Sequence, residues 1–255
     1  MTRRLLGLLG ALCLTIAAPR PALAQSAASA DRWQFMVAPY LLFPHMDGSI
    51  GLGPVAVDVE SSPSDVFSNL QFGAMLAAEA KRGPWAIGFN GMYMDLGKEL
   101  ETITGPGGVQ LDGELGAYQG MFELTGFRAL TPYLEVLAGG RVNIIGADVE
   151  LVAAQGSLNQ DFDESWFDPF FGVRLTVPNT GKWTVAVRGD IGGFGIGSDF
   201  AWQVRGRVGY RVSQLIEVGA AYWASGMDYE SGIAPTQFTY DVTSFGPQIG
   251  VAFHF

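Results

Sequence analysis

Apolar and polar positions alternate with a period of two along most of this chain. Trp85, Ile87, Phe89, Gly91 and Tyr93 share one parity; Ala86, Gly88, Asn90, Met92 and Met94 share the other. Phe200, Trp202, Val204, Gly206, Val208 and Tyr210 alternate with Ala201, Gln203, Arg205, Arg207 and Gly209. The last segment sets Phe245, Pro247, Ile249, Val251, Phe253 and Phe255 against Gln248, Gly250, Ala252 and His254. Successive side chains of a strand point to opposite faces, so each segment predicts a strand with one apolar face and one polar or small face. Ten strands are predicted, at 33–44, 69–81, 85–96, 108–128, 132–150, 165–177, 183–193, 198–211, 215–228 and 242–255. Helical periodicity is confined to a short stretch, Pro63 to Leu70.

Two kinds of connection take turns between these strands. Tight turns fall at Arg82-Gly83-Pro84, Leu130-Thr131-Pro132, Pro178 to Lys182 and Ser213-Gln214. Their Gly, Pro and small polar residues suit sharp reversals. Longer acidic connections fall near 44–68, 96–107, 151–164, 193–198 and 229–240. Short turns at one end and long loops at the other are the pattern of an antiparallel transmembrane barrel with its turns in the periplasm. Pro54 to Glu60 also alternates. Counting it as a wall strand would make the total odd, so it is assigned to the first outer loop. Ten strands is the expected count, within a range of eight to twelve.

Composition supports a membrane setting. Charged residues are 16% of the chain and glycines number 35 of 255. Globular domains carry roughly 25% charge and about half that share of glycine. The chain opens MTRRLLGLLGALCLTIAAPRPALAQ. Arg3 and Arg4, an apolar run and the small-x-small site Ala22-Leu23-Ala24 predict a secretory signal over 1–24. Residues 25–255 then form one all-β domain, a transmembrane antiparallel β-barrel in the outer membrane. The lone cysteine, Cys13, lies inside the signal, so disulfide, thiol and thiolate-metal chemistry are not expected. The formal net charge is −10, and the signal would remove three arginines and no acid. That balance disfavours nucleic acid as a partner.

Aromatic residues mark two expected interfaces. Trp85, Phe127, Tyr133, Trp183 and Tyr210 flank the turns and are assigned to the lipid face; Tyr93, Phe167, Phe200 and Tyr222 lie near the loop ends. Two aromatic girdles are what two membrane surfaces call for. RGDIGGFGIGSDFAWQ, Gly209-Tyr210-Arg211, the closing Gly246-Pro247-Gln248-Ile249-Gly250 to Phe255, Ala38-Pro39-Tyr40 and the Trp85 hairpin together resemble a family of largely uncharacterised Gram-negative outer-membrane β-barrel proteins. The resemblance implies fold and location, and carries no catalytic residues with it. The terminal Phe255 resembles the signal by which such barrels are handed to the outer-membrane assembly machinery. The other expected partners are membrane lipid and lipopolysaccharide, around a monomer.

Parity assigns the candidate chemistry to the lumen. Glu79, Glu123, Glu135, Arg141, Asp168, Arg174, Arg188, Asp190, Arg205, Arg207 and Glu217 are expected to point inward, where opposite charges on neighbouring strands can pair. They form either a charged constriction for small solutes or a salt-bridged filling of a narrow bore. A structural or small-solute permeation role follows, with a surface interaction role for the acidic loops as the alternative. Enzymatic activity is not expected. His45 and His254 lack a serine in a catalytic setting, and pairing His45 with Asp161, Asp163 and Glu164 is the weakest reading. Asp161 to Glu164 and Glu99-Leu100-Glu101 offer carboxylates without the spacing of a calcium loop, and no cofactor or zinc site is expected.

Residues 188–200, RGDIGGFGIGSDF, carry five glycines. A phosphate loop of this type must open a helix. Here it opens the alternating segment from Phe200. It therefore reads as a strand end, a bend and a new strand, with Arg188 and Asp190 inward.

Overall fold

A computed structural model describes residues 32–104, 110–153, 156–177 and 181–255. Residues 1–31, which include the proposed signal, residues 105–109 and 154–155, and the turn Pro178-Asn179-Thr180 lie outside the described residues. Twelve strands and one short helix make up the described chain. They are β1 (Gln34–Leu42), β2 (His45–Leu52), β3 (Val55–Ser61), α1 (Pro63–Ser68), β4 (Leu70–Arg82), β5 (Trp85–Thr104) and β6 (Gln110–Ala129). β7 (Leu134–Ala153), β8 (Gly156–Val177), β9 (Trp183–Gly193), β10 (Phe200–Arg211), β11 (Ile216–Ser231) and β12 (Phe238–His254) follow.

Ten of these strands close a barrel. β1 pairs with β4, and β4 to β12 then pair consecutively and antiparallel. β12 returns to β1, with Met36 opposite His254 and Leu42 opposite Gln248. The remaining two strands form a hairpin outside the closed wall. β2 continues the line of β1 past Phe43-Pro44 and pairs with the outer half of β12, from Phe245 to Phe238. β3 folds back on β2. The alternating stretch Pro54 to Glu60 therefore lies in the first outer connection, as an even count of wall strands required. α1 follows it, where a capping box ties Ser62 to Asp65 and Pro63 opens the first turn. Val66 is its buried anchor.

Parts of the wall are longer than the sequence reading allowed. β6 and β7 run 20 residues each, close to their expected lengths, but β5 runs 20 residues to Thr104 and β8 runs 22 from Gly156. A membrane crossing needs only about 9–11 residues per tilted strand. The expected loops at 96–107 and 151–164 are thus largely paired strand among the described residues, and 229–240 is strand at both its ends. Beyond the membrane both faces of a strand meet water, so alternation fades there although the hydrogen-bonded ladder continues.

The outward face is apolar, with Ile87, Phe89, Leu124, Val173, Val204 and Ile249 all exposed. Trp85, Tyr133 and Trp183 stand out at the turn end; Phe167, Phe200 and Tyr222 stand out nearer the loops. Phe127 departs from the expected girdle. It is 4% exposed and packs with Ala86, Leu137 and Phe170 inside the barrel. It shares parity with the inward Glu123 on β6, so an outward Phe127 was inconsistent with the strand itself.

Candidate functional site

The lumen is filled in tiers. Towards the loop end, inward side chains from β1, β5, β6, β7, β8, β10, β11 and β12 form one cluster. It includes Leu42, Met92, Met121, Ile145, Trp166, Ala201, Trp223, Tyr229 and Tyr240. Trp166 stacks on Tyr229 with centroids 4.3 Å apart and an interplanar angle of 9°.

Beneath them lies a buried ionic layer. Arg141 donates from Nε to Glu123 Oε1 at 2.8 Å and from Nη2 to Asp190 Oδ1 at 2.9 Å. Arg188 Nε donates to Asp190 Oδ2 at 3.0 Å, and its Nη2 lies 3.3 Å from Glu123 Oε2. Two guanidinium groups and two carboxylates thus neutralise one another. Both guanidinium groups also stand over the Phe170 ring, at 5.1 and 5.3 Å. The ties cross the lumen, because β9 meets β6 and β7 although it is hydrogen-bonded to neither. Ladder pairing alone does not describe them. Glu123 does face Arg141 across β6–β7, and Arg141 faces Asp168 across β7–β8. Arg174, Arg188 and Arg205, however, face each other in a row across β8, β9 and β10. Like charges in that register repel, and carboxylates reaching in from other strands offset the repulsion.

Asp168 has a different role from the one parity suggested. Its Oδ2 accepts from Asn143 Nδ2 at 2.9 Å, Trp166 Nε1 at 3.1 Å and Ser198 Oγ at 2.9 Å; its Oδ1 accepts from Ser198 N at 2.7 Å. It anchors the glycine-rich bend between β9 and β10. Gly193 there has φ of +86°, a region that only glycine occupies without strain. A Cβ on Gly197 would stand 2.3 Å from the Phe167 carbonyl oxygen. The bend needs glycine to close onto β8, and no helix follows it.

The turn end of the lumen opens into a cavity of about 770 Å³. Its wall includes Glu79, Lys81, Glu135, Arg174, Arg205, Arg207, Arg211, Glu217 and His254. Arg174 bridges Glu79 and Glu135, and Lys81 Nζ donates to Glu135 Oε1 at 3.1 Å. The Arg174 guanidinium also lies 4.0 Å from the Phe127 ring centroid. On the other side Glu217 accepts from Arg207 and from Thr184, with Arg211 Nη2 at 3.8 Å and His254 Nε2 at 3.6 Å.

Of the eleven expected lumen residues, Glu123, Arg141, Arg188 and Asp190 form the buried layer, Asp168 holds the bend, and Glu79, Glu135, Arg174, Arg205, Arg207 and Glu217 line the turn-side cavity. Lys81 and Arg211, which lie beside the tight turns, fold into the cavity mouth. Sequence reasoning did not single out Asn90, Asn143, Ser198, Gln203, Trp166 or Trp223, all buried in the lumen. Their inward parity was readable, but uncharged residues gave no reason to single them out. The acidic outer segments are spread along the walls: Asp163 accepts from Tyr118 and Glu164 from Tyr229. His45 packs on the Phe245 ring at 4.9 Å. No group of three His, Cys, Asp or Glu able to hold a metal occurs among the described residues. The Glu99 and Glu101 side chains lie outside the described residues.

No protein-family model and no curated protein matches the chain. Solved structures do match. The outer-membrane protease OmpT from Escherichia coli superimposes with a TM-score of 0.52 at 12% identity, over 89% of this chain and 98% of that one. The translocator domain of the autotransporter NalP from Neisseria meningitidis gives 0.45 at 9% identity, over 88% and 89%. Ail, the attachment invasion locus protein of Yersinia pestis, gives 0.38 at 9% identity, over 88% and 99%. At such identities the likeness to OmpT speaks for the fold alone. With closure between β12 and β1, an apolar outer face and two aromatic rims, the chain has the fold of a Gram-negative outer-membrane β-barrel, built from ten antiparallel strands.

Proposed function

We propose that this protein is a sealed, non-conducting outer-membrane barrel with a structural role, with its turns towards the periplasm. The observation that carries the reading is the dryness of the lumen midway along the wall. Arg141, Asp168 and Gln203 are 0% exposed, Glu123 and Met121 1%, and Trp223 2%. Side chains lining an aqueous pore are wetted. These project into the lumen from β6, β7, β8, β10 and β11 and are almost wholly shut off from solvent. Burying ions this way is unfavourable unless each is paired, and the mutual pairing of Arg141, Arg188, Glu123 and Asp190 meets that condition. Planar-bilayer recording on the refolded protein tests the reading. No steady openings are expected; large, persistent openings would overturn it.

A second reading is surface interaction through the part of the wall beyond the membrane. Asp228 and Asp241 face each other there across β11–β12, and Asp148 faces Asp161 across β7–β8. Such carboxylate-rich walls suit divalent ions held between the barrel and lipopolysaccharide. Calcium-dependent retention on lipopolysaccharide, lost in the Asp228→Asn/Asp148→Asn variant, is the expected result. The reading assigns no catalytic role to His45, which packs against an aromatic ring, or to His254, whose Nε2 lies 3.6 Å from Glu217.

A further inference from the structure

We propose that the turn-side cavity is a binding site for a small oxyanion of the phosphate or carboxylate class, with Arg205 as its central ligand. The charges around the cavity do not balance. Arg174 and Lys81 are matched by Glu79 and Glu135. Arg141 and Arg188 are matched by Glu123 and Asp190. Arg207 and Arg211 share a single carboxylate, Glu217. Arg205 has no ion pair and no hydrogen bond among the described residues, and its Nε is buried without a partner. Two positive charges are therefore left over at one end of a chain whose net charge is −10.

The surplus extends to hydrogen bonding. Asn90 accepts from the Tyr40 hydroxyl at 3.1 Å through Oδ1, which leaves its buried Nδ2 as a donor without an acceptor. Arg211 Nε is buried and unpartnered as well. Asn90, Arg205 and Arg211 all line the same cavity. A guanidinium stays protonated in any protein setting, so Arg205 cannot relieve its position by losing a proton. Arg205 is half-buried with its Nε shut off from solvent, and a guanidinium in that position without a carboxylate at ion-pair distance is unfavourable. An oxyanion between Arg205, Asn90 and Arg207 would supply both the missing charge and the missing acceptors, in the bidentate manner guanidinium favours.

Access and size agree with this occupant. The cavity is rimmed by Gly83, Leu130, Thr131, Pro132 and Tyr133, residues of the turns, so it opens on the side opposite the long hairpins. Its roughly 770 Å³ is ample for a solvated phosphate. The ionic layer around Arg141 closes it above, which makes it a dead-end pocket.

Calorimetric titration of inorganic phosphate into the refolded full-length protein in an uncharged maltoside, at constant ionic strength, tests the proposal. Saturable binding is expected, weakened at least tenfold in Arg205→Gln and unchanged in Lys182→Gln, which removes an exposed turn charge away from the cavity. Acetate is expected to compete. If Arg205→Gln fails to fold, Asn90→Leu serves, with folding verified by heat-modifiable gel migration, and weaker binding is again expected. Absence of saturable binding by the wild-type protein, or equal affinity in the folded cavity variants, would overturn it.

Discussion

Arg141 on β7 and Asp190 on β9 are joined at 2.9 Å across the lumen, with both side chains fully buried and strand β8 between their own strands. The contact is absent from the sheet's ladder and exists only because the wall closes. Removing Arg141 leaves Glu123 and Asp190 sharing the single Arg188, with one buried negative charge unmatched, which costs about 3–5 kcal/mol. Arg141→Leu is expected to lower unfolding stability in urea by that order. Arg141→Leu combined with Glu123→Gln should recover part of the loss, because the second change removes a stranded carboxylate. Equal losses in the single and double variants would contradict the pairing.

Trp223 donates to Gln203 Oε1 at 2.7 Å and fills the bore beside Met121. Trp223→Ala combined with Met121→Ala is expected to open a water path and produce steady single-channel conductance where the wild type shows none. Burial loss of this size costs about 3–5 kcal/mol for the tryptophan alone. Conductance is therefore to be read only on protein whose gel migration is heat-modifiable.

Gly197 packs its Cα against β8, with no room for a Cβ beside the Phe167 carbonyl. Gly197→Val is expected to push the bend off β8, break the Ser198 bonds to Asp168 and destabilise the barrel by about 1–3 kcal/mol. Ser198→Ala should cost less, because Ser198 N still reaches the carboxylate. Urea unfolding followed by tryptophan fluorescence ranks the two.

Asp228 faces Asp241, and Asp199 is close by. Burial first, and then these two carboxylates, hold its pKa above the usual range. A raised folded pKa means that the ionised form is disfavoured by folding. The penalty is present above the folded pKa and is relieved as pH falls through it towards the unfolded value. Asp228→Asn is expected to raise Tm at neutral pH, with the advantage vanishing below the ordinary carboxylate range. A constant advantage across that range would contradict the assignment.

The Tyr118 hydroxyl donates to Asp163 on the outer wall, and that bond pushes the phenol up to about 12. Asp163→Asn should return it towards an ordinary tyrosine. Ultraviolet pH titration, with Tyr118→Phe subtracted, reads the change.

The period-two alternation, the glycine and proline turns and the low charge determined the closed barrel, its ten wall strands and the inward parity of all eleven charged residues. These properties depend on neighbours along the chain, so the order of residues suffices to state them. Pro54 to Glu60 could be excluded from the wall for the same reason: strand number and turn placement must agree. Tertiary structure decided which inward charges meet. Arg141 reaches Asp190, and Arg174 reaches Glu79, only across a closed lumen whose width no local pattern specifies. It also decided that Asp168 would anchor a bend, since that depends on Ser198 arriving at its height. The ladder register sets Arg174, Arg188 and Arg205 in a row. Only the curvature of the barrel supplies carboxylates to the first two and leaves Arg205 facing open space.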